Sequence, residues 1–132
     1  MDDLYRELIL DHAQHRRNWG ALSPCDFDHE ETNPLCGDHL RLTLRIDDAG
    51  IITAVGWEGS GCAISQASAS MLGERLLGMP YADARRLDKQ EILDMIGIPL
   101  TINRVKCATL SLKTLVVGAL GKTTWERLED GE

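Results

Sequence analysis

The stretch His39-Leu40-Arg41-Leu42-Thr43-Leu44-Arg45-Ile46 alternates without a break, with Leu40, Leu42, Leu44 and Ile46 on one side and His39, Arg41, Thr43 and Arg45 on the other. A period of two means a β-strand with one covered face. Asp47-Asp48-Ala49-Gly50 follows, a turn in which glycine is free to take positive φ. Ile51 to Glu58 is again rich in β-formers and reads as the return strand of a hairpin. A further strand over Cys25 to Thr32 would complete a three-stranded antiparallel sheet.

Outward from the hairpin the pattern becomes helical. Asp2 to Gln14 reads as a helix, with Leu4, Leu8 and Asp11/His12 on the helical period and Tyr5 and Ile9 widening the apolar stripe. After the glycine-rich Gly59-Ser60-Gly61-Cys62 comes Ala63 to Leu72, a helix of small residues suited to close packing. Two short helices are expected at Tyr81–Arg86 and Lys89–Ile96. A long one should start at Cys107 and run to about Leu128, with Leu112, Leu115, Val116 and Ala119 buried, and with Gly118 and Gly121 as its weak points. Helix, sheet, then helices is an α+β order, expected as one domain over residues 1–132.

The chain of 132 residues is 43% apolar and 27% charged, with a net charge of −7. An acidic surface repels phosphate backbones, so nucleic acid is not an expected partner. No apolar run is long enough to span a bilayer, so no membrane association is expected. The acidic start Met1-Asp2-Asp3 is unlike a secretory signal, and the expected location is cytoplasmic. In that compartment the four cysteines, Cys25, Cys36, Cys62 and Cys107, are not expected to form disulfides.

Three of them share a context. Cys36 lies in the turn Asn33-Pro34-Leu35-Cys36-Gly37-Asp38, where Gly37 allows a sharp reversal that aims Cys36 and Asp38 at one point. Cys62 stands where a glycine-rich loop enters a helix, whose unpaired N–H groups and dipole favour a thiolate. Cys107 is expected at another helix start, with Lys106 beside it as a thiolate-stabilising charge and Arg104 nearby. Three thiolates and one carboxylate fill a tetrahedral Zn²⁺ site, and a [2Fe–2S] cluster also takes four ligands, one of which need not be cysteine. Buried cysteines acting as small apolar residues are the bland alternative. Cys25 has no such context. His12 and His39 are more readily core-edge or surface histidines than ligands, and Trp19 and Trp57 packing residues.

The quoted motifs, together with Leu4-Tyr5 through Asp11-His12, Arg17-Asn18, Ala67-Ser68-Ala69-Ser70 and Arg104-Val105-Lys106-Cys107-Ala108-Thr109-Leu110, resemble the IscU/SufU/NifU-N family of iron–sulfur scaffold proteins. The resemblance implies a three-stranded antiparallel sheet with helices packed around it and the three motif cysteines clustered at one end. It implies metal or cluster ligation by Cys36, Asp38, Cys62 and Cys107, with Zn²⁺ or a [2Fe–2S] cluster as the cofactor. The implied partners are a cysteine desulfurase and a downstream acceptor of cluster or sulfur. Two roles stay open: a cluster-assembly scaffold, and a zinc-dependent sulfurtransferase. Lys106 stands where IscU proteins carry histidine, which leans toward SufU. By the same likeness Cys36 is the expected sulfur acceptor, with Cys107 the alternative if the protein behaves like IscU. The segment Thr101-Ile102-Asn103-Arg104 replaces the chaperone-recognition motif of IscU proteins.

Overall fold

The computed structural model describes residues 2–34 and 37–130. The order is α1 (Asp2–Gln14), β1 (Phe27–Asn33), β2 (Asp38–Ile46), β3 (Ile52–Ser60), α2 (Ala63–Leu76), α3 (Tyr81–Ala84), α4 (Lys89–Ile96), α5 (Ile102–Leu120) and α6 (Lys122–Asp130). The strands form one antiparallel sheet in the order β1-β2-β3. The α+β reading and the three-stranded sheet hold. β1 lies slightly later than expected, and α2 runs on to Leu76.

Register places Phe27, Leu44 and Val55 in one row across the sheet, and His29, Leu42 and Trp57 in the next. The inner face carries Leu40, Leu42, Leu44 and Trp57, all fully buried, against Leu72, Leu112, Leu115 and Val116 of the helices. The same face ends in the pair Asn33 and Asp38, both buried, at the β1–β2 turn. That turn closes with the Gly37 N–H donating to the Asn33 carbonyl at 2.8 Å, and Gly37 takes φ +70°. A side chain is rarely accommodated there, so glycine is the residue the turn needs.

Thr43 departs from simple alternation: it points to the outer face yet is fully buried. Its hydroxyl donates to the Gly56 carbonyl at 2.7 Å and accepts from the Leu22 N–H at 3.0 Å. The loop carrying Leu22 also covers the outer edge of β3, where Gly20 and Asn18 bond the backbone of Trp57. Sheet edges that would otherwise invite foreign strands are shielded this way.

α5 runs along β1. Gly118 lies so close to Phe27 and His29 that a Cβ there would collide with both. The glycine that weakens the helix in isolation is the one that lets it lie against the strand. Gly121, at φ +95°, does end α5, and α6 is a separate helix. The expected start was wrong. Thr101 is the N-cap, its hydroxyl accepting from the Arg104 N–H, so Cys107 sits inside the second turn and not at the helix start.

α2 and α5 meet through small residues. Ala67, Ser68, Ala69 and Ser70 are fully buried, as are Ala108 and Ser111. The Ser68 hydroxyl donates to the Ala108 carbonyl at 2.6 Å and lies 3.0 Å from the Ser111 hydroxyl.

α1 packs on α2 by only part of the expected stripe. Ile9 and His12 are buried and Tyr5 is half-buried, while Leu4 is 68% exposed and Leu8 is also outside. His12 Nδ1 lies 2.8 Å from the Ser70 hydroxyl, which also accepts from the Arg17 N–H at 2.9 Å. No helix among the described residues is long and apolar enough to cross a membrane.

Burial, and secondarily the Arg17 charge, push the His12 imidazole below its ordinary pKa, outweighing the opposing pull of Glu74 and Asp11. The neutral form is thus favoured in the fold, and the unfolded chain binds the proton more readily. Stability contributed here is present above the unfolded value near 6.5 and is lost as pH falls from there through the folded value. Asp11, held low by its hydrogen bond to Arg17, acts only in a more acidic window. The urea midpoint of the metal-free protein should therefore drop between about pH 7.5 and about pH 5.5, and His12→Gln should flatten that drop. Equal slopes in both proteins would show that His12 is not the group responsible.

Candidate metal centre

Asp38 begins β2, Cys62 is the N-cap of α2 and Cys107 lies in the second turn of α5. Three elements thus deliver three side chains to the same end of the sheet. One carboxylate oxygen of Asp38 and the Sγ atoms of Cys62 and Cys107 all lie within 4.8 Å of one another. Asp38 is 1% exposed and Cys107 is 2% exposed, whereas Cys62 is half-buried and gives the cluster an outlet.

Local bonds fix this arrangement. The Cys62 N–H, one of the unpaired donors at the start of α2, donates to Asp38 Oδ1 at 2.9 Å. The Cys62 thiol points at Asp38 Oδ2, 3.6 Å away. Ser65 is fully buried, and its hydroxyl donates to the Cys62 carbonyl at 3.0 Å while lying 3.9 Å from Cys62 Sγ. A Cβ at Gly61 would collide with the Asp38 carboxylate and the Ser65 hydroxyl, so only glycine lets the loop pass there. From β1, the Asn33 side-chain amide reaches Cys107 Sγ at 3.9 Å. Sequence reasoning singled out neither Asn33 nor Gly61 for the site. Both sit in the quoted motifs, but their roles depend on which strand and helix they face.

The donor set suits a thiophilic metal. Zn–S bonds of about 2.3 Å in a tetrahedron place neighbouring ligand atoms about 3.8 Å apart. Asp38 Oδ2 and Cys62 Sγ already have nearly that spacing at 3.6 Å, and Cys107 Sγ lies within 4.8 Å of Cys62 Sγ and of an Asp38 oxygen. Metal binding requires the thiols to shed their protons.

The remaining sequence candidates divide clearly. Cys36 lies outside the described residues. Lys106 is exposed beside Cys107 on the first half of α5. His39 directly follows Asp38, and the period of the strand sends it to the opposite face, where it pairs with Glu30. His12 is engaged with Ser70, away from the cluster. Cys25 precedes β1, whose far end, Asn33, is the one beside the site. Trp57 is a core residue, and Trp19 stacks under the Arg16 guanidinium at 4.4 Å.

The NifU-like N terminal domain family matches residues 4–122. The zinc-dependent sulfurtransferase SufU of Bacillus subtilis is 36% identical to this chain, covering 89% of it and 90% of that protein. The iron–sulfur cluster assembly scaffold protein IscU of Thermotoga maritima is 34% identical, over 85% of this chain and 89% of that protein. Among solved structures, a putative iron–sulfur cluster assembly scaffold protein for the SUF system from Fervidobacterium islandicum superposes with a TM-score of 0.74 at 26% identity, covering 85% of this chain and 93% of that one. The N-terminal part of a NifU-like protein from Brucella abortus shares the fold, with a TM-score of 0.71 at 21% identity, over 99% of this chain and 98% of that one. With the motif cysteines in order and the family match running across almost the whole chain, this protein belongs to the NifU-like N-terminal domain family, alongside IscU and SufU.

Proposed function

We propose that this protein is an iron–sulfur cluster assembly scaffold that takes sulfur from a cysteine desulfurase and holds metal or a [2Fe–2S] cluster on Cys36, Asp38, Cys62 and Cys107. The observation that carries this reading is the convergence of Asp38, Cys62 and Cys107 from three different elements. Cys36 stands two residues before Asp38 in the chain and supplies the fourth ligand.

The chemistry follows from the donors. Thiolates are soft ligands and a carboxylate is a hard one, so Asp38 is the weakest holder of a soft cargo. Its dissociation opens a coordination position without dismantling the rest of the site. The likeness to the B. subtilis sulfurtransferase favours a second reading, in which the same four residues hold Zn²⁺ and the protein relays sulfur without building a cluster. Bound there, zinc would keep the thiols deprotonated and add its binding free energy to that of folding.

In both readings sulfur arrives as a persulfide. The acceptor thiolate attacks the terminal sulfur, a new S–S bond forms, and the desulfurase thiolate leaves. Cys36 is the proposed acceptor. Cys107 is the alternative: it is 2% exposed, so it would have to become more accessible, and Lys106 next to it would favour its thiolate. After incubation with a cysteine desulfurase and cysteine, mass spectrometry should find the added sulfur on Cys36, and Cys36→Ser should abolish it. Sulfur found on Cys25 or Cys62 alone would contradict both assignments.

The role of Asp38 has its own consequence. Reconstituted with iron and sulfide under argon, Asp38→Ala should hold its cluster several-fold longer than the parent in the presence of apo-ferredoxin, read as slower decay of visible absorbance. Faster decay in the variant would make Asp38 a structural ligand. Absence of a cluster from the parent would favour the zinc relay.

A further inference from the structure

Beside the metal centre, on the far side of Asn33, a cavity of about 200 Å³ opens between the end of β1, α5 and α6. Its walls include Asn33, Lys106, Thr109, Lys113 and Trp125. It shares a wall with the site, because the Asn33 amide that lines it also reaches Cys107 Sγ.

The cavity is cationic in a chain of net charge −7. Lys106 is exposed and has no ion pair among the described residues. Lys113 has one distant counter-charge, Glu31 at 3.9 Å, and that carboxylate is already bonded to His29 at 2.6 Å. A third lysine, Lys89, lies 5.8 Å from the Trp125 ring. Trp125 itself is 2% exposed, and its indole N–H has no hydrogen-bond partner among the described residues. Buried donors are rarely left unsatisfied, and this one belongs to a residue that lines a polar cavity, so an acceptor is called for.

We infer that this cavity binds a small oxyanion, a carboxylate or a phosphate. Such a group would accept from the Trp125 indole and neutralise Lys106 and Lys113 together. The Thr109 hydroxyl contributes no donor, since it already donates to the Val105 carbonyl at 2.9 Å. The space is ample for a small carboxylate or a phosphate. The inference goes beyond the relay reading and stands on the cavity alone. Its consequence is that a small acidic molecule gains a seat directly beside Cys107.

The test is a titration of the full-length protein with sodium acetate, with inorganic phosphate and with sodium chloride at matched ionic strength. The readout is the Trp125 indole N–H signal in ¹H–¹⁵N spectra, assigned through Trp125→Phe. A saturable shift in the low-millimolar range with acetate or phosphate, and none with chloride, is the expected result. Which of the two saturates names the source, carboxylate or phosphate. Lys113→Gln should weaken the binding about fivefold, as loss of one partly exposed charge contact does, while the Trp19 and Trp57 indole signals stay in place as a check on the fold. An unsaturated drift equal for all three salts would overturn the site, as would unchanged affinity in the Lys106→Gln/Lys113→Gln double variant. Zinc uptake by the same samples separates this outcome from failure of the metal centre.

Discussion

The contact between α2 and α5 sets the distance from Cys62 to Cys107, and everything the site can do depends on it. The Ser68 hydroxyl donates to the Ala108 carbonyl at 2.6 Å, one residue past Cys107. Such a bond forms only where no larger side chain stands between the helices, and the run Ala67 to Ser70 provides that on one side, Ala108 and Ser111 on the other. A buried hydroxyl bond contributes about 1 kcal/mol net, while an orphaned partner costs about 1–3 kcal/mol, so the pairing fixes position more than it adds stability. A bulkier residue at Ser68 would force the helices apart and carry Cys107 away from Asp38.

The second constraint is the hairpin. Its register brings Asn33 opposite Asp38 at the site end of the inner face. Asp38 is buried, and its oxygens face the Cys62 N–H and thiol. Burying a carboxylate costs several kcal/mol unless nearby donors or cations offset it. A helix N-terminus supplies part of that offset, and a bound cation would supply more. Gly61 keeps the approach open, since any Cβ there would strike the carboxylate. The result is a cluster of Asp38, Cys62 and Cys107 held by elements on three sides, able to take a metal ion.

How much of this was legible follows from where the information sits. The alternation of Leu40, Leu42 and Leu44 is local and strong, and it located the sheet. α4 was bounded to the residue because its signals are local too: Asp88 and Glu91 form a reciprocal cap and Gly97 ends the helix in the left-handed region. Asp38 and Cys62 were singled out as candidates by their junctions, and both do stand at the start of an element. Cys107 was expected at a helix start beside Lys106, yet it lies in the second turn, because Thr101 caps α5 about a turn and a half earlier. The α1 stripe was read correctly at Tyr5, Ile9 and His12, which turn inward to meet Ser70 and Gly97, and wrongly at Leu4 and Leu8, which look like core residues but face outward. Thr43 and Gly118 likewise answer to distant partners, Leu22 and Phe27, that no local pattern names.

A mixed donor set of three sulfurs and one oxygen is tested most directly by X-ray absorption at the zinc edge of the zinc-loaded protein. The expected fit is three sulfur scatterers at about 2.3 Å and one oxygen at about 2.0 Å, with the oxygen lost in Asp38→Ala and one sulfur lost in each of Cys36→Ser, Cys62→Ser and Cys107→Ser. Four sulfurs, which would bring in Cys25, or imidazole scattering from a histidine, would contradict it.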